Sequence, residues 1–400
     1  MAEKLTNEQQ AAVDSRERSL LVSAAAGSGK TKVLVERLFS YVEREGANLD
    51  DFLIITYTRA AASELRGKIA KALTERMERD PGNYHLRQQM LRVYRADIKT
   101  VDAFCTALLR ENCHLLGEDA RGHALRPDFR VLDENEAQVL RERVLARTLD
   151  DFYDCPTPGG TLLADTLGAG RDDSALEDLV LELHAKLQAQ PYEDKWLEAQ
   201  RAFWRAVPDK IEDTPYGKIL LNEVRRKARH CKNLLQRAAQ EMCANDALNQ
   251  KYAPAFLDAS YQLEALEGKT AEGWDAARGV TIAFPRLAAV KDSDGGEMKA
   301  RMKSLWDNCK ETVKGFAEIF SASSDEAVED LRTMASAMLA LIDLTADFSR
   351  RYNEEKRRRN SADFSDQEHE AVRLLIGEDG APTELARIVS ARYREIMVDE

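Results

Sequence analysis

The chain reads as α/β, a parallel sheet with crossover helices interrupted by a large, mostly helical insertion. Three observations predict this. A glycine-rich loop, Gly27-Ser28-Gly29-Lys30-Thr31, sits between a short apolar run and a segment of helical periodicity. Two further near-continuous apolar runs each lead into a helix-like segment, and unbroken apolarity marks strands buried on both faces. From about residue 113 the pattern turns helical and stays so to about 360, before α/β character returns over 361–400.

The elements follow in order. "SLLVS" (19–23) is the first strand candidate. The loop opens a helix carrying Val33, Leu34, Leu38 and Val42 at helical spacing. "DFLIITYT" (51–58) is the second strand, followed by the Ala-rich "AAASELRGKIAKALTERM". "DIKTVDAF" (97–104) is a third strand running into "CTALLRENC". Strand and helix alternating in this way build a parallel sheet. The insertion contains "SALEDLVLELHAKL", with a capping-box signature at Ser174 and Glu177. It also contains a long helix from about Glu326 to Arg359, about 50 Å at 1.5 Å per residue, whose apolar spacing near 3.5 suggests an antiparallel helix pair. After it come "SDQEHEAVRLL", opened by a Ser365/Glu368 box, then "ELARIVSARYRE" as a helix, and "IMV" as a strand ending in Asp399-Glu400. The expected division is 1–112 for the first part of the sheet domain, 113–360 for the helical insertion, and 361–400 for the return to the sheet.

Composition bounds the function. Four hundred residues exceed one ordinary domain. The longest apolar stretch, around Met334 to Leu344, is interrupted by Asp343 and too short to cross a bilayer. "MAEKLTNEQQ" has no apolar core of a secretory signal, so a cytoplasmic protein is expected. The six cysteines form no CxxC pair, which argues against a zinc or redox motif and for free thiols. A net charge of −12 excludes a protein that coats nucleic acid electrostatically, though not one with a narrow positive track. The basic runs "RRKARHCK" (225–232) and "KRRR" (356–359) are candidates for duplex contacts, or simply solvated helix faces.

The loop carries the clearest chemistry. Glycines let successive backbone N–H groups turn inward onto phosphate oxygens, and the following helix adds its positive end. In such a loop Lys30 reaches the β/γ-phosphates and the Thr31 hydroxyl ligates Mg²⁺. Upstream, Thr6 and Gln9 fit a capping box; Gln9 either only caps that helix or turns its amide to an adenine edge.

With these pieces in order the chain resembles the superfamily 1 DNA helicases of the UvrD/Rep type. "LTNEQQAAV" is similar to the family's Q motif, which implies Gln9 at the adenine. "AAAGSGKT" is similar to its phosphate loop, which implies that Ala26, Gly27, Ser28, Gly29, Lys30, Thr31 and Lys32 bind ATP. "TYTRAAASELRGKI" and "TVDAFC" resemble motifs Ia and Ib, which implies single-strand DNA contacts from Tyr57, Thr58, Arg59, Thr100 and Phe104. "VDE" is similar to the start of the acidic motif, which implies that Asp399 holds Mg²⁺ through water and that Glu400 polarises the attacking water. The fold implied is a RecA-like sheet (domain 1A) carrying a helical insertion (domain 1B). The chain departs from the pattern at Arg59 (often Asn), Asp102 (a motif Ib His), Tyr57 (Phe) and Lys32 (often Arg).

Within that family, segments such as "PDFRVLDENEAQVLRERVL", "RDDSALEDLVLELHAKL" and "GAPTELARIVSARYREIMVDE" look like the AddA subunits of AddAB helicase–nucleases. This resemblance implies an ATP-driven 3′→5′ single-strand DNA translocase that unwinds broken ends for recombination, with AddB as partner and the nuclease beyond residue 400. It also implies that these 400 residues bind nucleotide but hydrolyse it negligibly. The alternatives are a UvrD/PcrA-type helicase without nuclease and a non-motor nucleotide-binding module. Asp363 in "ADFSD" is family-like, with a helix-entry cap as its expected role.

Overall fold

The computed structural model describes residues 5–399 except 18, 26, 120 and 168–173, and omits the side chains of 292–295. The chain forms two compact units, one of residues 1–149, 188–191 and 347–400 and one of residues 150–187 and 192–346. Residues 113–149 and 347–360, read from sequence as insertion, pack with the α/β unit.

The α/β unit contains α1 (Asn7–Asp14), α2 (Lys30–Glu45), β1 (Phe52–Thr56), α3 (Arg59–Arg79), α4 (Tyr84–Arg92), β2 (Asp97–Thr100), α5 (Val101–Asn112) and β3 (Arg130–Val131). The chain then passes along α6 (Glu134–Asp154) into the helical unit. That unit holds α7 (Pro158–Leu167), α8 (Ser174–Gln188), α9 (Glu193–Arg205), α10 (Pro215–Met242), α11 (Asp246–Lys251), α12 (Ala253–Lys269), α13 (Trp274–Arg278) and α14 (Asp292–Ile319). Helix α15 (Ser324–Arg358) leads back to β4 (Ser361–Ala362), α16 (Phe364–Leu375), α17 (Glu384–Ser390) and β5 (Glu395–Asp399).

The sheet has the order β2-β1-β5 and is parallel throughout. Strand β1 is central and all five of its residues are buried, as its unbroken apolar run predicts. Phe52, Ile54, Ile98 and Met397 pack against Leu38 and Phe39 of α2 and Leu65, Ile69 and Leu73 of α3. A second cluster joins Leu108 and Leu109 of α5 to Ala371 and Leu374 of α16. Strands β3 and β4 form a separate parallel pair.

Several expectations are corrected. Residues 19–23 are not a strand: among the described residues β5 pairs with β1 alone, and Leu21 is 93% exposed. A strand without a ladder or a covered face has no burial to offset its ordering entropy. The third strand ends at Thr100, not 104, because the Thr100 hydroxyl accepts the Ala103 N–H at 3.2 Å and starts α5. Helix α16 is capped by Asp363, with Asp366 returning the bond to the Asp363 N–H; the Ser365/Glu368 box lies inside the helix. The expected helix 384–395 stops at Ser390.

In the helical unit the extended pair is α10 with α12, rather than a pair built on α15. Ion pairs run Arg229–Glu267 and Lys232–Glu264, and Arg225 meets Thr270, so rising numbers face falling ones and the two helices are antiparallel. Val224, Ala228, Cys231 and Leu235 pack with Phe256, Ala259, Leu263 and Leu266. The apolar stripe of α15 is divided between neighbours: Val328 and Leu331 join this core, while Met338 and Ile342 pack with Leu187, Leu197 and Trp204. The run 225–232 is thereby absorbed into ion pairs with Glu223, Glu264 and Glu267.

Phe256 is fully buried and stacks on Trp306 at 4.8 Å between centroids. Phe256→Ala should destabilise this unit by about 3–5 kcal/mol, read as a lowered urea midpoint with an unchanged slope.

Candidate functional site

The glycine loop is shaped by two left-handed residues, Gly27 (φ 77°) and Gly29 (φ 86°), a conformation costly for residues with a Cβ. Gly29 is the N-cap of α2, so the free N–H groups of the first helical turn open onto the loop. The Lys30 Nζ folds back and donates to Ala24 O at 3.2 Å. Ala26 lies outside the described residues.

Gln9 performs its cap and more. Its Oε1 accepts the Thr6 N–H at 2.9 Å and the Thr6 hydroxyl accepts the Gln9 N–H at 3.2 Å, closing the box. Its Nε2 donates to Ser28 O at 3.0 Å, tying α1 to the loop. A Cβ on Gly29 would stand 3.4 Å from that Nε2.

The opposite wall comes from the far end of the sequence. Strand β5 runs parallel to β1 with Asp399 beside Thr56. The Thr31 hydroxyl donates to Asp399 Oδ2 at 3.2 Å. At the base of the same strand the Arg37 guanidinium bridges Glu395 at 2.7 Å and 3.1 Å and also donates to Ala12 O and Ser15 O, locking α1, α2 and β5 together. Glu400 lies outside the described residues. A pocket of about 660 Å³ opens beside the loop, lined by Gly27, Gly29, Lys30, Thr31 and Lys32. Lys68 and Lys71 of α3 also line it; their positions on an amphipathic helix carried no signal in the sequence.

A second depression, of about 830 Å³, lies elsewhere on the α/β unit. Arg59, Arg66, Lys99, Arg110 and Arg130 line it against only two acids, Asp102 and Asp128, a local excess of positive charge in an acidic chain. Thr100 lines it as well, and Phe364 and Gln367 contribute from α16. Of the five residues assigned to DNA, Arg59 and Thr100 meet here. Tyr57 is 83% exposed just before α3. The Thr58 hydroxyl caps α3 by accepting the Ala61 N–H at 3.0 Å. Phe104 packs against the core cluster of Cys105, Leu108 and Leu109 and is not among the groove's lining residues, because α5 begins three residues earlier than the sequence suggested. Phe364 was missed, although an aromatic next to the cap of a polar helix could have drawn attention to it.

The second basic run is also internally paired: Lys356 with Asp363 and Asp366, Arg357 with Glu370, and Arg358 and Arg359 with Glu355.

Comparison with known proteins adds the family. A model described as the UvrD/REP helicase N-terminal domain matches residues 5–400. The chain is 31% identical over 414 residues to the first subunit of the ATP-dependent helicase/nuclease of Ruminiclostridium cellulolyticum, covering 99% of this chain and 32% of that protein. It is 35% identical over 424 residues to the protein of the same name from Desulfitobacterium hafniense, covering 99% and 29%. The protein of that name from Desulforudis audaxviator is 34% identical over 409 residues, covering 99% and 32%. The chain thus spans about a third of the length of these relatives. With the glycine loop, the acid-bearing strand and the groove all inside the matched residues, the chain belongs to the UvrD/REP helicase N-terminal domain family.

Proposed function

We propose that this chain is the nucleotide-binding part of an AddA-type helicase/nuclease subunit, which couples ATP hydrolysis to 3′→5′ movement along single-stranded DNA in double-strand break repair. The observation that carries this reading is the Thr31–Asp399 hydrogen bond, which joins the glycine loop to an acid 368 positions away. That pairing of hydroxyl and carboxylate at a phosphate loop is what a nucleotide-bound Mg²⁺ needs. On this reading the α/β unit is an incomplete RecA-like domain 1A and the helical unit belongs to domain 1B.

The residues divide the work. The loop N–H groups from Gly27 to Thr31 receive the phosphates. Lys30 exchanges the Ala24 carbonyl for β/γ-phosphate oxygens. Thr31 and Asp399 hold Mg²⁺, whose charge offsets that of the phosphates. Glu400, next on the same strand end, orients the attacking water. Gln9 fixes the loop through Ser28, and its amide reads adenine if it releases that carbonyl; Lys32 flanks the same pocket. In the second depression Arg59 and Thr100 contact a single-strand backbone, with Arg110 and Arg130 adding charge and Tyr57 and Phe364 offering aromatic faces. The relatives' remaining two thirds has room for a second motor domain, its arginine fingers and a nuclease. These 400 residues alone therefore bind nucleotide with negligible turnover. The partners are AddB and duplex ends or single-stranded DNA in the bacterial cytoplasm.

Two outcomes check this reading. Lys30→Ala should weaken Mg-nucleotide binding by about 10- to 100-fold, as loss of a charge-assisted contact implies; unchanged affinity in a calorimetric titration would refute the loop's role. Arg59→Ala should weaken single-strand DNA binding and reduce the slope of log K against log salt by about 0.7, and an unchanged slope would remove the groove from the DNA path.

A further inference from the structure

Lys356 is 1% exposed, an unusual position for an ammonium group. Its Nζ donates to Asp363 Oδ2 at 2.8 Å and to Asp366 Oδ1 at 2.7 Å, and sits 4.1 Å from the Tyr352 ring centroid. The Tyr352 hydroxyl donates to the same Asp363 oxygen at 3.0 Å. Asp363 and Asp366 each accept the other's backbone N–H at 2.9 Å, so the two carboxylates that grip the lysine are also the cap of α16. One residue past the cap stands Phe364, exposed, and one turn further stands Gln367; both line the positive groove. Gln367 is itself held twice: its Nε2 donates to Asp363 O at 3.2 Å, and its Oε1 accepts the Thr106 hydroxyl of α5.

A buried ion pair of this kind is a poor source of net stability, since apolar side chains of similar volume serve as well; what it supplies is a defined geometry. Here the geometry specified is the seating of the first turn of α16 against the end of α15. We infer that Lys356 is a positioning residue for the groove, acting through Asp363 and Asp366 to hold Phe364 and Gln367 in the wall that single-stranded DNA meets. The inference rests on the groove being the DNA path.

The two carboxylates are not equivalent. Burial alone would push Asp363 up, but the Lys356 charge and hydrogen bond outweigh it and hold Asp363 at about 2, the permanent counter-ion. Burial pushes Asp366 up to about 6 against the pull of Lys356, with the Asp363 charge adding to the rise. Asp366 keeps 23% of its side chain at the surface, which softens that push. Asp366 is therefore the partner that can be neutralised together with the lysine.

The test is a mutant cycle in this chain, read as affinity for a labelled oligo-dT across salt concentrations. Lys356→Met with Asp366→Asn should keep the helical circular dichroism. Its affinity should fall about tenfold at an unchanged salt slope, because Arg59, Arg110 and Arg130 all remain. Phe364→Ala should give a similar fall, and adding it to the first variant should cost little more, since both act through one aromatic face. Additive losses, or unchanged affinity in the folded variant, would overturn the inference. Should that variant unfold, Tyr352→Phe, which removes one hydrogen bond, should show a smaller loss with the same non-additivity, and additivity there overturns the inference equally. Arg59→Ala separates the two levels: if it leaves binding unchanged, the DNA reading of the groove fails and this inference with it. If Arg59→Ala acts and the Lys356 variant does not, only the positioning role fails.

Discussion

The parallel pairing of β1 with β5 is the constraint on which the α/β unit depends. It joins residues 52–56 to 395–399 across the whole helical unit. Closing so long a separation costs little more entropy than closing a moderately long one, because the cost grows only logarithmically with length. The pairing is held by Met397 in the core and by Arg37, whose guanidinium reaches Glu395 from α2. Only with β5 in this register does Asp399 arrive at the Thr31 hydroxyl. A slip of one residue would turn Met397 outward and remove Asp399 from the loop together.

Charge is used locally in a chain of net −12. The two basic runs that stand out in the sequence are consumed by neighbouring acids, in α10–α12 and at the α15–α16 junction. The positive groove is instead assembled from single cations scattered over α3, β2, α5 and β3. Counting charges along the chain therefore points to the wrong surfaces, because helical neighbours three or four residues away and antiparallel partners neutralise dense runs first.

Local features were legible in the sequence where their physics is local. The glycine loop, the Thr6/Gln9 box, the apolar run of β1 and the long α15 depend on φ preferences, caps and burial periodicity within a few residues. Misreadings arose where a competing local choice or a distant partner decided. Thr100 ended a strand because its hydroxyl was a better cap than its neighbours were strand formers. Asp363 displaced Ser365 as a cap because it could also take Lys356 and Tyr352. Residues 19–23 have strand composition but no ladder.

What the sequence by itself determined is the phosphate loop, its flanking helix caps and the alternation of strand and helix, since each is set by backbone sterics and side-chain contacts over a handful of residues. What only the tertiary structure decided is the meeting of Asp399 with Thr31, the removal of Phe104 to the core, and the placement of Phe364 beside Arg59 and Arg130. These depend on strand register and helix seating over hundreds of positions, and no short-range preference encodes them.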